Sequence, residues 1–203
     1  MLDSPPVIPD ELVLRPFEPG DELALNDGFN QVFGRRRSLA EWRWKFPPEP
    51  GGRPIVLGFW RDELVTCFPS IPVRFQVDGR RWSATTIVDI YSRTSAHPEL
   101  AHRGLWIRTV REFYAVYGES GRYPLMFGFP GSRARALGLE HLGWEQLPLQ
   151  PVVQLRRRQA SPRSPRRLAY RAELARDWEP QLDRLWERIG GQYPVAAVRD
   201  ARW

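Results

Sequence analysis

TTIVDIYSRTSAHPELAHRGLW, residues 85–106, reads as a strand, a polar loop and a glycine at the mouth of a helix. Thr85, Thr86, Ile87, Val88, Ile90 and Tyr91 form a β-branched and aromatic run interrupted only by Asp89. The run predicts a buried strand in which Asp89 is the odd residue. Downstream, Leu105, Trp106, Thr109, Val110, Phe113, Val116 and Tyr117 recur at the i, i+3/i+4 spacing of a helix with one buried face, and Gly118 ends it. His102, Arg103 and Gly104 therefore stand at a helix N-terminus. The first backbone N–H groups there lack intrahelical partners, the dipole favours negative charge by about 0.3–1 kcal/mol, and Gly104 admits a ligand close to the backbone. A phosphate or pyrophosphate fits such a cradle.

The flanking sequence supplies the order of elements. Residues 12–17 (LVLRPF) form a short strand, the turn Glu18-Pro19-Gly20-Asp21 follows, and a helix is expected from about Glu22 to Phe33. Ser38-Leu39-Ala40-Glu41 is a capping box that opens a second helix carrying Trp42, Trp44 and Phe46, which Pro47 and Pro48 stop. Residues 53–60 and 63–75 read as strands joined at Arg61-Asp62, and Val77-Asp78-Gly79-Arg80 is a hairpin signal leading into the strand with Asp89. After the cradle helix come a strand over residues 123–129, a helix over 133–142 ending at Gly143, and a final strand or strands over 144–155.

This series, with His97-Pro98 and Gly104, resembles motif A of the GNAT-family N-acetyltransferases, in which a strand leads through hP-x-x-R-x-x-G-x-G/A into the helix that holds the pyrophosphate of acetyl-CoA. Ala101 stands where the family usually has Gln or Arg, and Trp106 where it has Gly or Ala. Glu41-Trp42-Arg43-Trp44-Lys45-Phe46, Phe127-Gly128-Phe129-Pro130 and Leu142-Gly143-Trp144 are similar to a GNAT branch written W-x-W-K-F, F-G-F-P-N and L-G-W, with Gly131 replacing the Asn. The resemblance spans about residues 10–155. It implies an α/β GNAT fold: a mixed, mostly antiparallel sheet splayed between its fourth and fifth strands, with flanking helices.

The resemblance also implies the chemistry, which is transfer of an acetyl group from the cosubstrate acetyl-CoA to a primary amine by direct attack. It assigns to acetyl-CoA the strand end Ile90, Tyr91 and Ser92, the loop and helix start His97, His102, Arg103, Gly104, Leu105 and Trp106, and Gly131 with Ser132. Glu41, Trp42 and Trp44 lie where relatives form the acceptor wall, although a tryptophan stripe is also the pattern of a core. A base near the amine contributes roughly 10²–10⁴-fold. Asp89 is the candidate base, since a carboxylate in a buried strand has a raised pKa; the competing reading pairs it structurally with an arginine such as Arg93. The tyrosine that relatives use as leaving-group acid is replaced by Leu139, leaving Tyr91 or Ser132 as substitutes. A degenerate module that binds CoA or a partner protein without turnover is the alternative.

Composition sets the outer limits. Of 203 residues, 42% are hydrophobic and nine are tryptophan, enough to fill a core. No apolar run approaches the roughly 20 residues of a membrane span and the N-terminus is unlike a signal peptide, so the cytoplasm is expected. Cys67 is the single cysteine, which excludes an internal disulfide, and His97, Glu99 and His102 match no metal spacing; no metal is expected. The net charge of +6 arises in residues 154–167 (QLRRRQASPRSPRR), which hold six arginines and no acid, so the rest of the chain is neutral. That segment has no aromatic residues for base stacking and reads as a linker, which argues against nucleic acid as a partner. Leu12, Arg15, Asp21 and Gly34 are echoed 156 residues later by Leu168, Arg171, Asp177 and Gly190. The expected organisation is a GNAT domain over 1–153, a linker over 154–167 and the start of a second, truncated GNAT-like unit over 168–203. The acceptor and the oligomeric state, a dimer included, are left open.

Overall fold

The computed structural model describes residues 12–100, 104–148 and 180–200. Its sheet is built from two tight hairpins. Arg61 (φ 50°) and Asp62 (φ 60°) join β2 (Ile55–Trp60) to β3 (Glu63–Val77), and Asp78 (φ 46°) and Gly79 (φ 76°) join β3 to β4 (Arg80–Ile87). Both central residues of each turn are left-handed, the conformation whose twist matches that of the flanking strands. At 15 residues, β3 is long enough to serve two sets of neighbours. Its first half pairs with β2, from Trp60↔Glu63 to Ile55↔Pro69, and its second half with β4, from Ser70↔Ile87 to Val77↔Arg80. Beyond β2 lies β1 (Leu12–Pro16), also antiparallel.

Helices cover both faces. α1 (Glu22–Phe33) has the expected bounds and ends at Gly34 in the left-handed region (φ 60°). α2 (Leu39–Lys45) opens with the expected capping box: the Ser38 hydroxyl accepts from the Glu41 N–H, and the Glu41 carboxylate accepts from the Ser38 N–H at 2.7 Å. These two helices bury Leu25, Trp42 and Phe46 against Ile55, Leu57, Leu64 and Cys67 on one face. α3 (Leu105–Phe113) buries Val110 and Phe113 against Val56 and Phe68 on the other. The alternation of Ile55, Val56 and Leu57 between clusters explains why β2 is apolar throughout, as a strand buried on both faces must be. α3 runs on into a single π-helical turn, Tyr114–Gly118, whose Tyr117 hydroxyl donates to the Arg53 carbonyl (3.1 Å).

Two expectations change. The strand over residues 85–91 is not continuous: β4 stops at Ile87, Asp89 is left-handed (φ 51°), and the chain resumes as β5 (Tyr91–Ser92) opposite Cys67 and Thr66. Residues 88–90 face only Phe68 and Pro69, so one residue is extra and the strand carries a β-bulge centred on Asp89. After β6 (Leu125–Gly128) and α4 (Ser132–His141), residues 144–148 form no strand, and the rest of that predicted element lies outside the described residues. His102, Arg103 and the linker over 154–167 also lie outside them.

Of the expected second unit, residues 180–200 are described. α5 (Pro180–Ile189) ends one residue before Gly190, as α1 ends one residue before Gly34. The two segments then part, because a strand, β7 (Val195–Ala197), stands where the first has α2. β7 pairs antiparallel with Phe75–Val77 on the edge of β3 that β2 leaves bare. Val198 is fully buried, its N–H donates to the Arg74 carbonyl (2.8 Å), and the Arg74 guanidinium forks onto Asp200. No helix among the described residues is long and apolar enough to cross a membrane.

Candidate functional site

Among the described residues one pair of strands is parallel. β4 and β6 run side by side from Ala84↔Leu125 to Ile87↔Gly128. Past that point β4 enters the bulge and rejoins β3 as β5, while β6 continues through Phe129 and Pro130 to Gly131, the N-cap of α4. Residues 88–90 and 129–131 belong to no strand; the Val88 N–H donates to the Pro69 carbonyl (3.1 Å) and the Gly131 carbonyl accepts from the Arg135 N–H (2.9 Å), while the N–H groups of Asp89 and Ile90 enter no ladder and are open to another partner.

α3 starts from the same end of the sheet. Gly104 is left-handed (φ 63°), a Cβ placed on it would meet no atom within 4 Å, and its carbonyl accepts the first helical bond from the Arg108 N–H (3.0 Å). The N–H groups before Arg108 lack helical partners. This start is anchored firmly. Leu105 is buried with Trp60, Val65 and Leu100, and the Thr109 hydroxyl donates to the Leu105 carbonyl (2.8 Å) and lies 3.4 Å from the hydroxyl of Thr66, itself 3.0 Å from that of Ser92. The incoming loop is pinned by His97, which packs edge-on against Trp60 (5.4 Å) with Nε2 3.2 Å from the Glu63 carboxylate.

An open glycine-led helix start beside two diverging parallel strands is now joined by sequence comparison. The profile of the acetyltransferase (GNAT) domain matches residues 13–147, a span that runs from the second residue of β1 to beyond α4. The chain belongs to the GNAT acetyltransferase family. Its fold is shared with an aminoglycoside acetyltransferase, meta-AAC0020, from an uncultured soil metagenomic sample in complex with trehalose (13% identity over 74% of this chain and all of that one, TM-score 0.54). The same enzyme in complex with sisomicin matches at 12% identity over 72% and 97% of the two chains (TM-score 0.53). A putative acetyltransferase from Agrobacterium tumefaciens matches at 14% identity over 70% and 99% (TM-score 0.52). No curated protein matches.

In this GNAT domain Asp89 is not the isolated carboxylate of an apolar strand. Arg37 Nη1 donates to one oxygen (2.6 Å) and Lys45 Nζ to the other (2.7 Å). Arg93, the partner expected in the structural reading, instead pairs with Glu63 (2.6 Å). Arg37 is itself held hard. Its Nε donates to Asn26 Oδ1, its N–H to Asn30 Oδ1, its carbonyl accepts from the amides of Asn26 and Asn30, and its guanidinium lies 3.7 Å above the Phe29 ring. Sequence reasoning missed Arg37 and Lys45. The signals were an arginine directly before a capping box and the Lys45 of the W-x-W-K-F resemblance.

Tyr91, the other catalytic candidate, is 3% exposed and its hydroxyl donates to the Leu25 carbonyl (3.1 Å). Burial pushes its pKa well above the usual phenol value, so it is committed to the core. Ile90 packs on the α3 side of the sheet and Val88 on the α1 side, which leaves Asp89 between them at the turn of the bulge. Trp106 packs edge-on against Trp144 (5.7 Å), whose indole N–H bonds the Tyr114 hydroxyl. Gly131 has open space beside it, and exposed Ser132 begins α4.

The expected acceptor residues separate. Trp42 is fully buried, stacked on Phe17 (5.8 Å) and packed on Phe46 (5.3 Å), so it is core; Trp44 is 83% exposed. Glu41 spends its carboxylate on Ser38, whose backbone N–H, then hydroxyl, hold its pKa below the ordinary carboxylate value. Buried Cys67 has its thiol pKa pushed up by desolvation, as befits a core residue. No group of His, Cys, Asp and Glu among the described residues could hold a metal.

Proposed function

We propose that this chain moves an acyl group from acyl-CoA, with acetyl-CoA as the expected donor, to a primary amine by direct attack. The observation that carries the reading is the open, left-handed Gly104 at the start of α3, set beside the gap between β4 and β6. The N–H groups of Leu105, Trp106 and Ile107 would receive the diphosphate, where the helix dipole favours negative charge. Backbone groups of residues 88–90 would hold the pantetheine and polarise the thioester carbonyl. Gly131 and Ser132 would close the other side. Acyl-CoA supplies the activated acyl group. The amine nitrogen forms the new N–C bond, the C–S bond breaks, and the proton lost from nitrogen ends on the CoA sulfur, through solvent where no side chain carries it.

Asp89 has the position of a base or water-relay residue. Both of its oxygens already accept from a cation, one from Arg37 and the other from Lys45. That occupancy, with Tyr91 turned into α1 and Leu139 in place of the family's acid, supports the second reading, a GNAT-like module that binds CoA without turnover. An aminoglycoside is one acceptor to try, given the neighbours of like fold. Release of CoA thiol from acetyl-CoA in the presence of an amine panel tests the proposal. Release above the amine-free rate supports transfer, and binding of acetyl-CoA without release supports the second reading. Residues 168–203 are further proposed as the start of a second GNAT-like unit.

A further inference from the structure

We infer that the acceptor is an amine that also carries an oxyanion, a carboxylate or a phosphate, and that Arg37 and Lys45 receive it. The inference rests on the acyl-transfer reading and deepens it to a substrate class. The amine must approach a carbonyl held where β4 and β6 part, and on the α1–α2 side of that gap the bulge presents Asp89 with its two cations. One acid faces two bases. The Arg37 side chain is nine-tenths buried, yet its Nη2 has no hydrogen-bond partner among the described residues, while Nε and Nη1 of the same guanidinium plane are both used. A buried donor without an acceptor is uncommon in native structures and calls for a partner; the indole N–H groups of Trp42 and Trp60 share that state, but of these donors Arg37 alone carries a charge beside the bulge. A planar, fork-shaped donor matches a carboxylate or phosphate.

The surrounding charge points the same way. Between residues 26 and 46, five basic residues (Arg35, Arg36, Arg37, Arg43 and Lys45) face two acids, Asp27 and Glu41, and Glu41 is spent on its cap. A polycationic acceptor would meet like charge here, whereas an anionic one would be drawn in.

The test compares three small amines, ethanolamine, which has no anion, and β-alanine and O-phosphoethanolamine, which carry one each, with sisomicin, a much larger polycation. With acetyl-CoA fixed, thiol release is expected to give β-alanine or O-phosphoethanolamine about tenfold or more higher kcat/KM than ethanolamine, the size of a charge-assisted hydrogen bond, and sisomicin the lowest value. Arg37→Lys, which keeps a charge and loses the fork, and Lys45→Gln, at a more exposed site, should raise KM for the anionic amine while leaving acetyl-CoA binding by calorimetry unchanged. The two anionic amines separate carboxylate from phosphate. Thermal melting with each amine alone gives a readout without turnover, and the anionic amines should raise Tm in the native chain but not in Arg37→Lys. Stabilisation without thiol release would overturn the transfer reading and leave the oxyanion site standing. Thiol release with ethanolamine or sisomicin equal to the anionic amines, or a preference that survives both substitutions, would overturn the oxyanion site alone. Neither stabilisation nor release would overturn both.

Discussion

Gly28→Ala is a small change with a worked consequence. Gly28 lies inside α1, where alanine is the better helix former by about 1 kcal/mol. A Cβ at this position would stand 2.2 Å from the Tyr91 hydroxyl oxygen, 2.7 Å from Cζ and 2.9 Å from Cε2. Tyr91 is fixed in β5 opposite Cys67 and bonded to Leu25, so its ring cannot retreat without disturbing the bulge two residues earlier. Overpacking of this kind costs about 1–3 kcal/mol, which outweighs the helical gain. The expected net loss is up to about 2 kcal/mol, or a fall in Tm of up to about 8 °C for a domain of this size. Tyr91→Phe alone removes the hydrogen bond to Leu25 and costs about 1 kcal/mol. In the Tyr91→Phe background the closest clash is gone, so Gly28→Ala should cost about 1 kcal/mol less than in the native chain. Urea unfolding of the four proteins measures the coupling. A stabilising Gly28→Ala, or two additive effects, would refute the packing described for α1 and β5.

Asp89→Ala strands two cations, one of them nine-tenths buried, and should cost about 3 kcal/mol or more by chemical denaturation; Asp89→Asn, which tolerates the left-handed backbone, should cost less. Burial works against the charge on Asp21, but the Arg15 hydrogen bonds, the Glu18 N–H and the Arg15 charge outweigh it and lower its pKa. Because the unfolded chain then binds the proton more readily, the Asp21 contribution is present above the ordinary carboxylate value and lost as pH falls through the lowered one. Unfolding of Asp21→Asn across acid pH should show a shallower loss of stability than the native chain. Ending the chain at residue 179 removes β7 and bares the edge of β3 at Phe75–Val77; sedimentation should show self-association, and a stable monomer would contradict the docking of β7.

Much of this architecture was legible because its signals are local. The Ser38-Glu41 capping box and the Asp78-Gly79 turn each specify a conformation by residue type, and the structure follows them. The split between Trp42 and Trp44 follows from helix phase: Trp42 and Phe46 are four apart and share the buried face, while Trp44 is two away and points out. The bulge was hidden because an extra residue leaves a β-branched run intact, and the register shift shows only against β3. Arg37 and Lys45 were hidden for another reason: they meet Asp89 across 52 and 44 residues, and nothing in a run of arginines says which one will be buried. β7 is three residues long and gains its identity as a strand from the free edge it covers.

Acyl-CoA is proposed to lie between the start of α3 and the parted strands, and crystals grown with acetyl-CoA would show whether it does. Density is expected for the diphosphate against the N–H groups of Leu105 to Ile107, with the pantetheine running between the bulge at Asp89 and residues 129–131. Full occupancy of acetyl-CoA elsewhere on the domain, or none at millimolar ligand, would contradict this placement.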